Sequence, residues 1–323
     1  MLSFLTLTIL ATLHIHSVAA WGTLGHQTVG YVAQEFLAPK ALAFVQSSLG
    51  STYDESLGPA APWADTVRSE TAYKWSAPLH FVDAEDSPLS GSCSVQETRD
   101  CGDGDCILTA IANYTTRVAK TSLSATQRQE ALKFLDHFLG DIGQPLHVEA
   151  YEVGGNDISA KCSGKSTNLH AVHTGMVSKN IDDNHGGDVQ TYAADLVAQI
   201  KSGSYKSLTS DWLSCTSITE PASKRSFFSQ TKRTVEDDVK SLLSRAEDAT
   251  EATITPLECP LVWARESNAY CCSVVFSYTS GEDLCTSSYY TKAVPVIDLQ
   301  IAKQGYRLAA WLNVIFDGAT NVP

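Results

Sequence analysis

A mostly α, single-domain fold is what this sequence predicts, and two observations carry the reading. Apolar residues return at intervals of three and four over long stretches. Capping residues, Gly and Pro fall where those stretches begin and stop. The first stretch, about Leu24 to Leu49, places Val29, Val32, Ala33, Phe36 and Leu37 at helical spacing, with no strand-like alternation to compete. From Leu89 to Cys106 the chain is rich in Gly, Ser and Asp and holds three cysteines, which reads as a loop stapled by disulfides and not as a linker. A second helix is expected from about Thr126 to Gly140. Thr126 reads as its N-cap, Gln129 takes the capping-box position, Leu132, Leu135, Phe138 and Leu139 are apolar, and Gly143 and Pro145 end it. A third begins near Asn168 and a fourth covers roughly Asp188 to Ile200. The last runs from Pro295, at a first-turn position, through Ile301, Leu308, Trp311 and Ile315. No linker divides the chain, and no internal repeat is found.

The chain has 323 residues, 43% of them hydrophobic, enough to bury a full core. Asp and Glu outnumber Lys and Arg by 36 to 23, a net charge of −13 with a pI near 5.0, which excludes a broad cationic surface. Any phosphate must therefore be gripped by local charge. Mean hydropathy is −0.09, and no apolar run after residue 20 approaches the roughly 18 residues of a membrane span, so no membrane partner is expected. The first twenty residues, MLSFLTLTILATLHIHSVAA, join an apolar stretch to small residues and read as a signal peptide cleaved after Ala20, although no Lys or Arg precedes the stretch; a buried N-terminal helix is the competing reading. Residues 21–323 form the domain, secreted and expected to be a monomer. Export suits the nine cysteines, an odd number that leaves at least one unpaired. Glu220 to Pro256 is strongly charged, includes a helix-like run from Thr234 to Ala249 and reads as an insertion. Cys215 and Cys259 flank it, and a disulfide between them would pin its base, though sequence alone leaves the connectivity open.

Most histidines beyond the leader sit beside carboxylates or helix signals. In HFLGDIGQPLH, His137 and Asp141 are four apart on one helical face and His147 returns after a Gly-Pro turn. WADTVR sets Asp65 and Arg68 a turn apart, LHFVDAED holds His80, Phe81 and Asp83, and GGND with NLHAVH contributes Asn156, His170 and His173. Any one of these histidines would more often be an incidental surface residue; three spaced donors reverse that. Imidazole with carboxylate suits Zn²⁺ with open catalytic positions. Cys101 and Cys106 are the nearest approach to a zinc-knuckle pair, but without a second pair the disulfide reading is preferred.

These motifs, together with the start WGTLGH and with CSVQETRDCGDGDC, NAYCCSVV and GYRLAAWL, resemble the zinc-dependent, single-strand-specific nucleases and 3′-nucleotidases of fungi and plants, over nearly the whole mature chain. The resemblance implies a helical fold shared with bacterial zinc phospholipase C and a cluster of three zinc ions. Asp65, His80, His137 and Asp141 would hold one metal. Trp21, through the α-amine and carbonyl freed by processing, would hold its close partner with His26 and a bridging Asp141. His147 and His170 would belong to a third; apart from the resemblance, helical spacing puts His173, three residues after His170, on nearly the same face and makes it a further candidate ligand. Arg68 would grip phosphate, Phe81 would stack on a base, Asp83 would accept from its edge and Asn156 would hydrogen-bond the nucleotide. Catalysis would rest on Asp65, Arg68 and Asp141. The resemblance also implies disulfides Cys101–Cys106 and Cys93–Cys272, and Asn113, in Asn-Tyr-Thr, is the one glycan acceptor expected.

The implied activity is hydrolysis of single-stranded DNA and RNA to 5′-mononucleotides, with 3′-nucleotides as further substrates. Two departures bear on it. Thr174 stands where the family has a ligand Asp, with His173 in place of Trp beside it, and Gly143 replaces a His of many relatives. The charged segment has no counterpart in the typical fungal enzymes. The alternatives are a zinc-binding member with reduced or lost hydrolysis, and a zinc phosphodiesterase for phospholipid headgroups; Phe81 and Asp83 favour the nucleotide.

Overall fold

The computed structural model describes residues 21–102, 104–215, 233–248 and 257–323. The predicted signal peptide and most of the charged insertion lie outside them. Helices α1 (Gly22–Gln34) and α2 (Pro39–Leu49) lead into the short α3 (Leu57–Ala60), α4 (Trp63–Val67) and α5 (Glu97–Asp100). The longer α6 (Ile107–Ala119) and α7 (Ala125–Asp141) pack side by side. A short turn α8 (Glu152–Gly155) precedes the hairpin β1 (Ser159–Cys162) and β2 (Lys165–Asn168). Then come α9 (Leu169–Asn184), α10 (Val189–Lys201), α11 (Thr209–Trp212), α12 (Val235–Asp248), α13 (Glu258–Tyr270) and α14 (Ser288–Asp317).

The predicted helical class is observed, with four corrections of detail. The first stretch is two helices, because Pro39 cannot continue a helix but fits the first turn of a new one. In α7 the cap is Ser124, not Thr126: Ser124 Oγ accepts from the Gln127 amide and Gln127 Oε1 accepts from the Ser124 amide at 3.1 Å, a reciprocal box. The last helix starts seven residues before Pro295, capped by Ser287, and carries that proline inside it. The hairpin was not expected. Its strands pair Ser159 with Asn168 and Cys162 with Lys165 around a Ser163–Gly164 turn with φ of 52° and 78°, the positive values that a two-residue hairpin turn requires.

The core gathers around α14, which packs against α1, α2, α7, α9 and α12 and is buried from Gln300 to Val314. Gly305 allows its closest approach: a Cβ there would lie 2.6 Å from the Val32 side chain and 2.9 Å from the Val29 carbonyl. Disulfides Cys93–Cys272 and Cys101–Cys106 are present as the resemblance implied, joined by Cys162–Cys285 and Cys215–Cys259. The last of these pins the base of the insertion, and α12 matches its helix-like run. Cys271 is the unpaired cysteine and is buried. No helix among the described residues is long and apolar enough to cross a membrane.

Candidate metal centre

Five segments of the chain meet at one buried carboxylate. α7 supplies His137 and, one turn later at its last position, Asp141. α1 brings His26 and α4 brings Asp65. A 3₁₀ turn, Lys74–His80, ends in His80, and another, Pro145–His147, ends in His147. Around Asp141, which is fully buried, His80 Nδ1 and His137 Nε2 approach Oδ2 at 3.0 and 3.1 Å, and His26 Nε2 lies 3.1 Å from Oδ1. Asp65 Oδ1 closes the group, 3.7 Å from His137 and 3.8 Å from His80, and Arg68 Nη1 sits 3.3 Å from the same oxygen. His147 and His170 are neighbours, with ring centroids 5.0 Å apart.

The imidazoles are held in fixed orientations. Nδ1 of His137, His147 and His170 lies 2.7, 2.8 and 2.8 Å from the carbonyls of Ala61, His80 and Gly154 respectively, which fixes each ring and turns its Nε2 away from that carbonyl. Several inward atoms lack any hydrogen-bond partner: both ring nitrogens of His26, Nε2 of His80 and His147, Asp65 Oδ1 and Asp141 Oδ1. Orphaned polar atoms are costly unless something else binds them. Donors of this chemistry, within 4.8 Å of one another in the sets His26–Asp65–His137 and His80–His137–Asp141, fit a divalent cation.

Protonation states agree with that fit. Burial pushes His80 down to about 4, His147 to about 3 and His170 to about 4, and lowers His26, so these rings are neutral and ready to ligate. Burial alone would raise Asp141, but the positive charge and hydrogen bond of His137 beside it hold it well below the usual carboxylate range. His137 is the exception, for Asp141 and Asp65 outweigh its burial and raise it to about 9. To ligate a cation here His137 would give up that proton, the positive charge of the ion taking its place.

The remaining predicted residues fall beside the cluster. Phe81 follows His80 and is half-buried, its carbonyl accepting from the Ile107 amide at 3.0 Å while the Val82 amide donates to the His147 carbonyl at 3.0 Å, so two site segments are tied together. Asp83 has an exposed edge. Partial burial first, then Glu85 and Asp100, push it up to about 6. Asn156 closes α8, its Nδ2 donating to the Val153 carbonyl at 2.8 Å. His173 is turned toward α14: the Tyr289 hydroxyl donates to the Val275 carbonyl, so His173 Nε2–H donates to Tyr289 Oη at 3.0 Å. Thr174 packs its methyl over Gly22, where a Cβ would meet it at 2.5 Å. The space a side chain at Gly143 would need is filled by Gln304, whose Cγ lies 2.4 Å from that Cβ position.

One site feature has no sequence signal. Val153 adopts φ 56° and ψ 54°, a left-handed conformation that a β-branched residue rarely takes, and its side chain is 61% exposed. This turn delivers the Gly154 carbonyl to His170, which explains why the strain is tolerated.

A helical fold that converges imidazoles and carboxylates on a buried point defines a candidate metal-binding protein. Residues 21–317 match the family model described as S1/P1 Nuclease. Nuclease PA3 of a Penicillium species and Nuclease P1 of Penicillium citrinum are each 41% identical over 300 residues, covering 91% of this chain and 97% of theirs. Nuclease S1 of Aspergillus oryzae is 37% identical, covering 91% of both. The chain belongs to the S1/P1 nuclease family: it is a metal-dependent phosphodiester hydrolase whose substrates are nucleic acids.

Proposed function

We propose that this chain is a secreted, zinc-dependent endonuclease that hydrolyses single-stranded DNA and RNA to 5′-mononucleotides and acts on 3′-nucleotides. The observation that carries the reading is the ring of orphaned His and Asp atoms around Asp141, with Arg68 held against Asp65 and Phe81 next in the chain to His80. Asp65, His80, His137 and Asp141 would hold one zinc, Trp21, His26 and Asp141 a second, and His147 with His170 a third. Bound zinc would supply positive charge to the phosphate and a nucleophile at neutral pH. Arg68 would orient the phosphate, and the Asp65 carboxylate, 3.3 Å from it, supports its guanidinium. Phe81 offers a stacking face and Asp83 an acceptor for a base edge. A base in a duplex presents neither to them, which supports single-strand preference. Four disulfides support the reading of the leader as a secretion signal. Release of acid-soluble 5′-nucleotides from heat-denatured DNA, and much slower release from duplex DNA, is the expected result; equal rates on the two would reject the single-strand assignment.

Two predictions follow from individual side chains. Thr174 supplies no carboxylate and His173 Nε2 is taken by Tyr289, so the third metal should be held by two imidazoles and exchange readily. Activity after dialysis should rise with added zinc, and Thr174→Asp should reduce that dependence. Retention of three zinc ions per chain through dialysis, measured by metal analysis, would overturn this. Asp83 should accept from the adenine amino group only when ionised. Affinity for an adenine nucleotide should therefore weaken as pH falls through about 6, and Asp83→Asn should flatten the profile of KM over roughly pH 5 to 7.

A further inference from the structure

The described surface carries few large exposed apolar side chains, and one is aromatic: Trp75, 52% exposed. Its ring is fixed despite that exposure. The indole N–H donates to the Ala72 carbonyl at 2.8 Å, and the ring leans on Tyr73 and Phe134, with centroids 6.3 and 5.8 Å away. Tyr73 is itself anchored, its hydroxyl donating to Glu130 at 2.9 Å and its ring edge-on to Trp63 at 5.3 Å. The result is a rigid aromatic cluster with one indole left facing solvent.

The cluster is continuous with the metal centre. Trp75 lies on the 3₁₀ turn that ends in His80 and runs into Phe81, and at about 2.0 Å per residue Trp75 and His80 are about 10 Å apart along it. Phe134, against which Trp75 rests, lies on α7 one turn before His137. Trp63, edge-on to Phe134, is two residues from Asp65. Exposed Lys74 precedes the indole and offers a positive charge to a phosphate, whereas the Lys133 ammonium, 3.7 Å above the Trp63 ring, is buried beneath the cluster near Glu130.

We propose that Trp75 is a stacking platform for a base of single-stranded substrate lying beyond the nucleotide held at the metal centre. The proposal rests on the nuclease reading and extends it from a mononucleotide site to a strand-binding track. A preordered indole loses little conformational freedom on binding, and base–aromatic stacking tolerates any base, as an unspecific nuclease requires. Because the platform lies outside the mononucleotide site, it should matter only for substrates longer than one nucleotide.

The test compares wild-type enzyme with Trp75→Ala, Trp75→Leu and Trp75→Phe on 3′-AMP and on octathymidylate, with anisotropy binding of a hydrolysis-resistant phosphorothioate octamer as a second readout. Trp75→Ala and Trp75→Leu should raise KM for the octamer and weaken phosphorothioate binding by about tenfold, with kinetics on 3′-AMP unchanged. Trp75→Phe should stay near wild type, since it keeps the ring, whereas Trp75→Leu keeps only the apolar packing on Phe134. Equal losses on both substrates would mean a structural role and overturn the proposal, as would an unchanged octamer affinity. Should wild-type enzyme cleave no nucleic acid, the nuclease reading falls, and the binding arm still decides whether the indole takes a base.

Discussion

Asp141→Ala is expected to abolish activity and metal retention together. No other carboxylate touches so much of the centre: His26, His80 and His137 all lie within 3.1 Å of its oxygens, and it is fully buried. Removing it leaves His137 without the stronger of the two carboxylates that raise it and leaves any bound cation short of negative charge. A loss of several kcal/mol of transition-state stabilisation corresponds to a rate decrease on the order of 10³-fold or more. The isosteric Asp141→Asn separates chemistry from folding, because it keeps the volume while removing the charge. It should melt as one cooperative unit with retained helical circular dichroism, yet bind fewer zinc ions per chain. Full activity in Asp141→Asn would show that Asp141 is not a ligand.

How much of this centre is legible in the sequence depends on how local each part is. The pair His137 and Asp141 is visible because a helix puts residues four apart on one face, and the Gly-Pro turn returns His147 to them. Asp65, His80 and His26 reach the same point from other segments, and only the resemblance to a nuclease family joined them in advance. The helices themselves are legible from their apolar period, but their ends are not. Ser124 with Gln127 and Thr126 with Gln129 both fit the same capping pattern. The fold selects the first because Gln129 is used elsewhere, donating to the Ser48 carbonyl at the end of α2. The hairpin escapes notice because its four-residue strands are polar and its turn is held by Asp283, more than a hundred residues away, which accepts from the Ser163 and Gly164 amides. Pro295 misleads in the opposite sense. A proline is the strongest local start signal, yet the helix already begun at Ser288 tolerates one missing N–H where many buried side chains hold it. The left-handed Val153 and the exposed indole of Trp75 are set by tertiary position, which no local pattern records.

A chain extended by even one residue before Trp21 should be nearly inactive. Trp21 is buried to 1% exposure, and its indole N–H donates to the Gly140 carbonyl at 2.9 Å, next to Asp141. Gly25 lets the ring settle, for a Cβ there would lie 2.4 Å from the Trp21 Cβ, and Gly22 turns the backbone with φ 65° under the Thr174 methyl. The start of α1 is therefore held against the end of α7, five residues before His26 contributes its ring. Under the proposed assignment the free α-amine at this position is a zinc ligand, and an α-amine titrates near 7.7–8.0, so it is readily available as a lone pair. Converting it to an amide withdraws that lone pair into the peptide bond. Loss of a direct ligand should cost at least the 10- to 100-fold typical of losing a residue that merely supports one. Insertion of a single Gly before Trp21 should leave the disulfides and melting behaviour nearly unchanged while lowering both zinc content and hydrolysis of 3′-AMP. Sequencing of active secreted protein should read Trp-Gly-Thr from its first cycle. An active species that begins elsewhere, or a Gly-extended enzyme with full zinc content and normal turnover, would remove Trp21 from the metal centre.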